Sequence, residues 1–154
     1  MFRKIFGLIS TTAIITAFGI GSARADHLNV SLQSIDAGAR LTSDRLVVIV
    51  TGTYICGPAD VTPNPTGDFT GISIRVRQAS GRVVNQGTGF ANAICDAQLR
   101  TFEVPATDDL LVPWHGGLAR VDASIFMQDC DESFNCHIAN ASAERQIKIS
   151  GGAK

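Results

Sequence analysis

The sequence predicts an all-β protein: two packed antiparallel sheets of seven or eight strands, braced by two disulfides. Three observations carry that expectation. Apolar and polar residues alternate with a period of two along most of the chain, as in strands with one buried face. Turn signals recur every eight to twelve residues, with no convincing amphipathic helix between them. The cysteine count is even, at four, and every cysteine lies well beyond the N-terminus.

Positions 1–25 read as an export signal. Arg3 and Lys4 supply the positive start, an apolar segment runs from Ile5 to Ile20, and Ala23-Arg24-Ala25 offers small residues for cleavage before Asp26. The run is short for a bilayer span, so a retained anchor is the weaker reading. Arg3, Lys4 and Arg24 would leave with the signal. The remainder of the chain, 26–154, then forms one domain with ten basic and fourteen acidic residues, a formal net charge of −4. That charge lacks the basic footprint of a nucleic-acid binder. No further stretch is long and apolar enough to cross a membrane as a helix, and the expected place is secreted or periplasmic.

The strands follow in order. Leu28, Val30 and Leu32 alternate with Asn29, Ser31 and Gln33, a half-buried strand, and residues 36–39 read as a turn. Residues 45–56 are the most apolar run beyond the leader and rich in β-branched side chains, so they should be central in a sheet and covered on both faces. Gly52 interrupts the row Leu46, Val48, Val50, Tyr54, Cys56 and suggests a bulge or a close backbone approach. Residues 57–68 hold Pro58, Pro63 and Pro65 and read as a loop. Ile72, Ile74 and Val76 alternate with Ser73, Arg75 and Arg77, then Ser80-Gly81 turns the chain. A strand weakened by Gly87 and Gly89 runs from Arg82 toward Cys95, and Phe102 and Val104 mark the inward face of the next. Residues 105–114 read as a second proline-bounded loop. Ala119 to Met127 supplies a long alternating strand, and residues 139–149 return from it. Alanines near 140 have helical propensity, but their period and hairpin context favour strand.

Four cysteines allow three pairings, and spacing alone does not choose among them. Strand placement favours Cys130–Cys136 across a hairpin tip and Cys56–Cys95 across about forty residues. The chain-entropy model gives about 4 kcal/mol for the long loop and roughly 2.4 kcal/mol for the short one. Without a Cys-x-x-Cys pair, a metal site is the weaker reading.

Gly52-Thr53-Tyr54-x-Cys56, the turn at Gly81-Arg82, Gly87-Thr88-Gly89 leading to Cys95-Asp96, and Gly117-x-Ala119-x-Val121-x-Ala123 together resemble a group of small secreted bacterial proteins, mostly of unknown function. The likeness covers residues 46–149 and implies an immunoglobulin-like sandwich. The cysteine hairpin is similar in kind to that of neocarzinostatin-type apoproteins, with five residues between the cysteines here. No binding residue carries over from either group.

Candidate chemistry is sparse. Trp114-His115-Gly116-Gly117 offers an aromatic platform, though a lone Trp there is more simply a plug for the open end of the sandwich. Arg75, Arg77 and Arg82 are expected on a wet face, where they either bind an anionic sugar or surface or are merely solvated. Asp129, Asp131 and Glu132 crowd the hairpin but match no EF-type calcium loop. His27, His115 and His137 are too scattered for a zinc motif, and no Gly-x-Ser-x-Gly elbow is present. Asn140-Ala141-Ser142 fits a glycosylation sequon but falls in an expected strand.

The expectation is therefore an exported binding or structural module without catalytic activity, cofactor or metal. Its partner would be another extracellular protein or a cell-surface polymer, met through the 57–68 and 105–117 loops, with Trp114, His115, Arg75, Arg77 and Phe134 as contact candidates. The alternative is a carrier with an apolar pocket lined by Phe126, Phe134 or Trp114. A third reading is a hydrolase, which requires a serine or a carboxylate pair converging in a cleft.

Overall fold

The computed structural model describes residues 29–57, 69–130 and 136–151. The expected leader, most of the 57–68 loop, the tip of the cysteine hairpin and Phe134 lie outside the described residues. Eight strands follow one another: β1 (Asn29–Ile35), β2 (Gly38–Leu41), β3 (Val47–Gly57), β4 (Phe69–Ser80), β5 (Val83–Asn92), β6 (Leu99–Asp108), β7 (Gly117–Cys130) and β8 (Cys136–Ser150). No helix occurs among the described residues.

The all-β expectation holds, but the two-sheet sandwich does not. The hydrogen-bond ladder runs β3-β2-β8-β7-β4-β5-β6 and returns to β3, a closed barrel of seven strands, with β1 paired to β3 outside the ring. Two seams close it. At the first, the chain breaks at Asp36-Ala37 and changes partner. Asp36 N donates to Thr51 O at 2.9 Å, and Lys148 N donates to Ala37 O at 2.8 Å. β2 then pairs with β3 antiparallel and with β8 parallel. The expected turn over 36–39 is thus half turn and half strand.

At the second seam β5 meets β6 only through Gly87↔Asp108 and Thr88↔Thr107. A Cβ at Gly87 would stand 2.4 Å from Thr107 O, and one at Gly89 would stand 2.2 Å from Pro105 O. The glycines that weaken β5 as a strand are what let its backbone reach β6. β6 also runs through Pro105, which the sequence places in a loop. A strand tolerates proline where the missing N–H faces an unpaired edge, and β6 has such an edge before Thr107.

β3 is central, as expected, with β1 and β2 on one edge and β6 on the other. Its Val48, Val50, Tyr54 and Cys56 are buried, whereas Val47, Ile49, Thr51, Thr53 and Ile55 are only half-buried. Full cover on both faces is not needed in a barrel, whose outer surface meets solvent. Gly52 is the close approach anticipated, since a Cβ there would lie 2.2 Å from Ser34 O and 2.5 Å from the Phe102 ring. β1 shifts register between Leu32 and Ser34 at this point.

The barrel is filled by alternate residues of every strand, including Ile72, Val76, Val104, Val121, Ile125 and Ile147. Each such aliphatic side chain, fully buried, contributes roughly 1.5–3 kcal/mol. Cys56–Cys95 and Cys130–Cys136 are both bonded, with Cα separations of 4.6 and 4.0 Å. No free cysteine is left, and two disulfides suggest an oxidising, extracellular compartment. Among the described residues no helix is long and apolar enough to cross a membrane.

Candidate functional site: the loop end around Trp114

One end of the barrel gathers the β2–β3 connection, the β4–β5 turn and the β6–β7 loop, residues 109–116. Trp114 lies beneath that loop with 0% exposure. Its ring faces Gly87, where a Cβ would come within 2.8 Å. Arg45 clamps it from the other side. Trp114 N donates to Arg45 O at 2.8 Å, and Arg45 Nε donates to Trp114 O at 2.9 Å. Trp114 is therefore the plug of this end and not a ligand platform.

Three polar or charged side chains are buried among the described residues: Gln78, Asn85 and Asp108. All three hold this loop. Asp108 Oδ1 accepts from Leu110 N at 2.8 Å and from Val112 N at 3.0 Å. Asn85 Nδ2 donates to Pro113 O at 3.3 Å. Gln78 Nε2 donates to His115 O at 2.8 Å, while its Oε1 accepts from His115 N at 3.4 Å. A buried polar group is costly unless it is satisfied, and a satisfied network fixes one conformation. The fold thus uses these three interior side chains to set the course of a single loop, while the buried Tyr54 hydroxyl holds the Ile94 backbone at the other end.

That loop points apolar side chains outward. Leu110 is 83% exposed and Leu111 65%, with Val112 beside them at 39%. Leu111 sits at φ 56°, a left-handed conformation that a leucine rarely adopts. The neighbouring start of β5 adds Val83 and Val84, exposed at 59% and 62%. The two tips are tied together where Asp109 N donates to Gln86 O at 3.0 Å and Gln86 Nε2 donates to Asp109 Oδ2 at 3.4 Å. Leu118, at the start of β7, is exposed as well and pairs across the ladder with Lys148. Exposed apolar residues scattered singly need no explanation, but a group of six at one end does.

Both signs of charge are present at this end. Arg45, Arg82 and Lys148 are exposed and form no ion pair among the described residues. The acids at this end, Asp44 and Asp109, are held by neutral donors and by no cation among the described residues. The Asp44 carboxylate takes a hydrogen bond from the Thr42 hydroxyl and another from Leu46 N, which hold its pKa below the usual range. Asp109 accepts from Gln86 and from Thr88.

The other contact candidates lie elsewhere. Arg75 and Arg77 are on the outer face of β4, in rows Thr88–Arg75–Asp122–Glu144 and Gln86–Arg77–Arg120–Gln146. Arg82 is not beside them but in the turn at the barrel end. A shallow trough of about 630 Å³ crosses this face, lined by Ser73, Arg75, Thr88, Asp122, Ser124 and Glu144 among others. Its polar groups largely satisfy one another. Arg77 donates to Asp122 at 2.6 Å, Arg120 pairs with Glu144, and the Ser73 and Ser124 hydroxyls share a bond of 2.7 Å. The trough is not the apolar cleft a carrier needs. Phe126 meets Phe90 in a tilted pair, 6.3 Å between centroids, on that outer face, whereas Trp114 is inside the barrel. The structure does not bring the two together.

His115 is half-exposed, with Nδ1 3.1 Å from Gly116 O. His137 pairs with Asp129 at the opposite end of β8. No group of three or more His, Cys, Asp or Glu residues suited to a metal ion occurs among the described residues. Asp131 and Glu132 lie outside them. Also at that far end, the Arg100 guanidinium hydrogen-bonds Asp96 and holds its carboxyl below the ordinary range.

Reading by alternation misses Gln78, Asn85 and Asp108, although one signal was present. Gln78 continues the inward row Ile72, Ile74, Val76, where a polar residue must have an interior partner. Compared with protein-family models, with curated proteins and with solved structures, the chain matches none.

Proposed function

We propose that the protein is an exported binding module whose contact surface is the barrel end displaying Leu110, Leu111, Val112, Val83 and Val84. The single observation behind this reading is that Gln78, Asn85 and Asp108, the buried amide and carboxylate side chains of the described residues, all serve the loop that carries three of these exposed apolar groups. Export is inferred from the leader-like segment 1–25 together with the paired cysteines. Kinship with the small secreted bacterial proteins named above is part of the proposal and rests on the motif pattern alone. The module needs no catalytic group, and none is assigned.

The test is binding of the purified disulfide-bonded protein to washed cell envelopes from the producing culture. Saturable binding is expected, weakened at least tenfold by Leu110→Ser combined with Leu111→Asn. Asparagine tolerates the left-handed backbone at position 111, so the loop course should survive. Equal binding by the double variant and the wild type overturns the reading.

A further inference from the structure

We infer that the trough on the outer face of β4, β7 and β8 is a second contact site, separate from the barrel end, and that it takes an acidic oligosaccharide with a uronate carboxylate on Arg75. The odd charge comes first. Arg75 lines the trough and stands directly opposite Asp122 in the ladder. Asp122 is nevertheless engaged by Arg77 at 2.6 Å and by Arg120 at 3.9 Å, and Glu144 is engaged by Arg120. Of the three arginines on this face, Arg75 makes no ion pair among the described residues. Two arginines thus neutralise the two carboxylates, and the third is left facing a cavity of about 630 Å³. Lys148, farther along the same face, brings the count to four cations against two carboxylates. On the outer face around β3, by contrast, Arg40 stands against Asp36 and Glu103. A positive face on a chain of formal net charge −1 favours an anionic ligand there.

The surface chemistry comes second. One row across the strands reads Phe90–Ser73–Ser124–Ser142. Neighbouring strands lie about 4.8 Å apart, so the three serines repeat at close to the length of a sugar residue. Gly71 makes room beside them, since a Cβ there would stand 2.2 Å from the Phe90 ring. That ring lies across β4 toward Phe126 and stays 45% exposed. An aromatic surface beside hydroxyls suits the C–H faces and hydroxyls of a pyranose. Arginine adds a planar fork that grips a carboxylate through two parallel bonds. The trough volume falls within the roughly 300–1,000 Å³ of small-ligand sites. A peptide is disfavoured, because β4 and β7 are each paired on both sides and offer no strand edge. A nucleic acid is disfavoured too, because one free cation beside two acids is a poor match for its dense phosphate charge.

The experiment is calorimetric titration of the disulfide-bonded protein with oligogalacturonate and oligomannuronate, with the methyl ester of each, and with an oligoglutamate peptide. Binding of at least one uronate is expected, about tenfold or more tighter than its uncharged ester. Arg75→Gln should weaken it about tenfold, and Arg75→Lys, which keeps the charge without the fork, about threefold. Phe90→Ala should weaken it about fivefold. Leu110→Ser, at the barrel end, should leave it unchanged. Arg75 is exposed and free of ion pairs, so its replacement should leave the urea midpoint in place, and lost binding then reports on the site. Wild-type protein that binds neither uronate overturns the inference. So does an ester that binds as well as its acid, or uronate binding indifferent to Arg75→Gln. Oligoglutamate bound as tightly as uronate assigns the face to an acidic protein and likewise overturns the saccharide. Envelope binding through Leu110 and uronate binding through Arg75 are read with different residues, so each stands or fails without the other.

Discussion

Replacing Asp108 by alanine removes the buried oxygen that receives two backbone N–H groups, from Leu110 at 2.8 Å and Val112 at 3.0 Å. Losing a hydrogen bond to a charged partner costs roughly 1.5–3 kcal/mol. Both donor residues carry exposed side chains, so water can reach the freed N–H groups, and the low end of that range applies to each. The expected loss is about 3 kcal/mol, a large share of the roughly 5–15 kcal/mol typical of a domain. At about 4 °C per kcal/mol for a chain of this size, the melting temperature should fall by roughly 12 °C. Asp108→Asn keeps an acceptor oxygen at Oδ1 and should lose about 1 kcal/mol. Urea unfolding with a common m-value measures all three proteins, and envelope binding is read in parallel. Alanine should also weaken binding, because Leu110 and Leu111 are no longer held outward. The reasoning fails if the alanine variant unfolds within about 0.5 kcal/mol of the wild type, the spread of ordinary surface substitutions. It fails equally if asparagine is as damaging as alanine.

Three further outcomes are expected. Gly89→Ala puts a Cβ 2.2 Å from Pro105 O at the closing seam and should cost about 1–3 kcal/mol in urea unfolding, whereas Gly116→Ala, whose Cβ meets nothing nearer than 3.6 Å, should be neutral or slightly stabilising; equal effects would deny that the seam needs glycine. Converting Cys56 and Cys95 to alanine opens a loop of sequence separation 39 and should cost about 4 kcal/mol, against roughly 2.4 kcal/mol for Cys130 and Cys136 with a separation of 6; the reverse order in thermal melts would contradict the entropic account. Because Arg100 lowers the Asp96 pKa, that pair stabilises the fold above the ordinary carboxyl value of about 3.9 and the contribution is lost as pH falls through the lower folded value; Arg100→Ala should raise the Asp96 midpoint in an NMR titration, and an unmoved midpoint would show that another group sets it.

Much of the fold was legible because burial alternates with period two. The inward rows of β4, β6, β7 and β8 are where alternation places them, and both disulfides pair the cysteines expected to meet. Closure was not legible. It depends on two backbone events, the partner change at Asp36-Ala37 and the close approach at Gly87 and Gly89, and neither leaves a hydrophobic pattern. Glycine in a strand reads as weakness until the facing backbone is known. The 105–117 stretch holds both the expected contact candidate Trp114, which is buried, and Leu110 and Leu111, which are exposed. Trp114 attracts notice by its chemistry, yet burial is what its size and position produce. Leu110 and Leu111 attract none, because an apolar pair between prolines reads as local packing until its exposure is seen.

Plugging the barrel and presenting the tips are separable jobs of one loop, and this separation gives the sharpest test of the proposed site. A loop needed only to cap the core requires Trp114 and its anchors at Arg45, Asn85 and Gln78. It does not require leucine at positions 110 and 111, where the side chains reach solvent and contribute little to folding. Polar residues there would be favoured for solubility. Trp114→Phe should therefore cost about 2 kcal/mol through the volume it vacates, while leaving envelope binding within twofold at temperatures where the protein is folded. Leu110→Ser should leave the unfolding free energy within about 0.5 kcal/mol and abolish most of the binding. If both substitutions move stability and binding together, the exposed leucines belong to the packing of the barrel end, and the site must be sought on the outer face of β4 and β7.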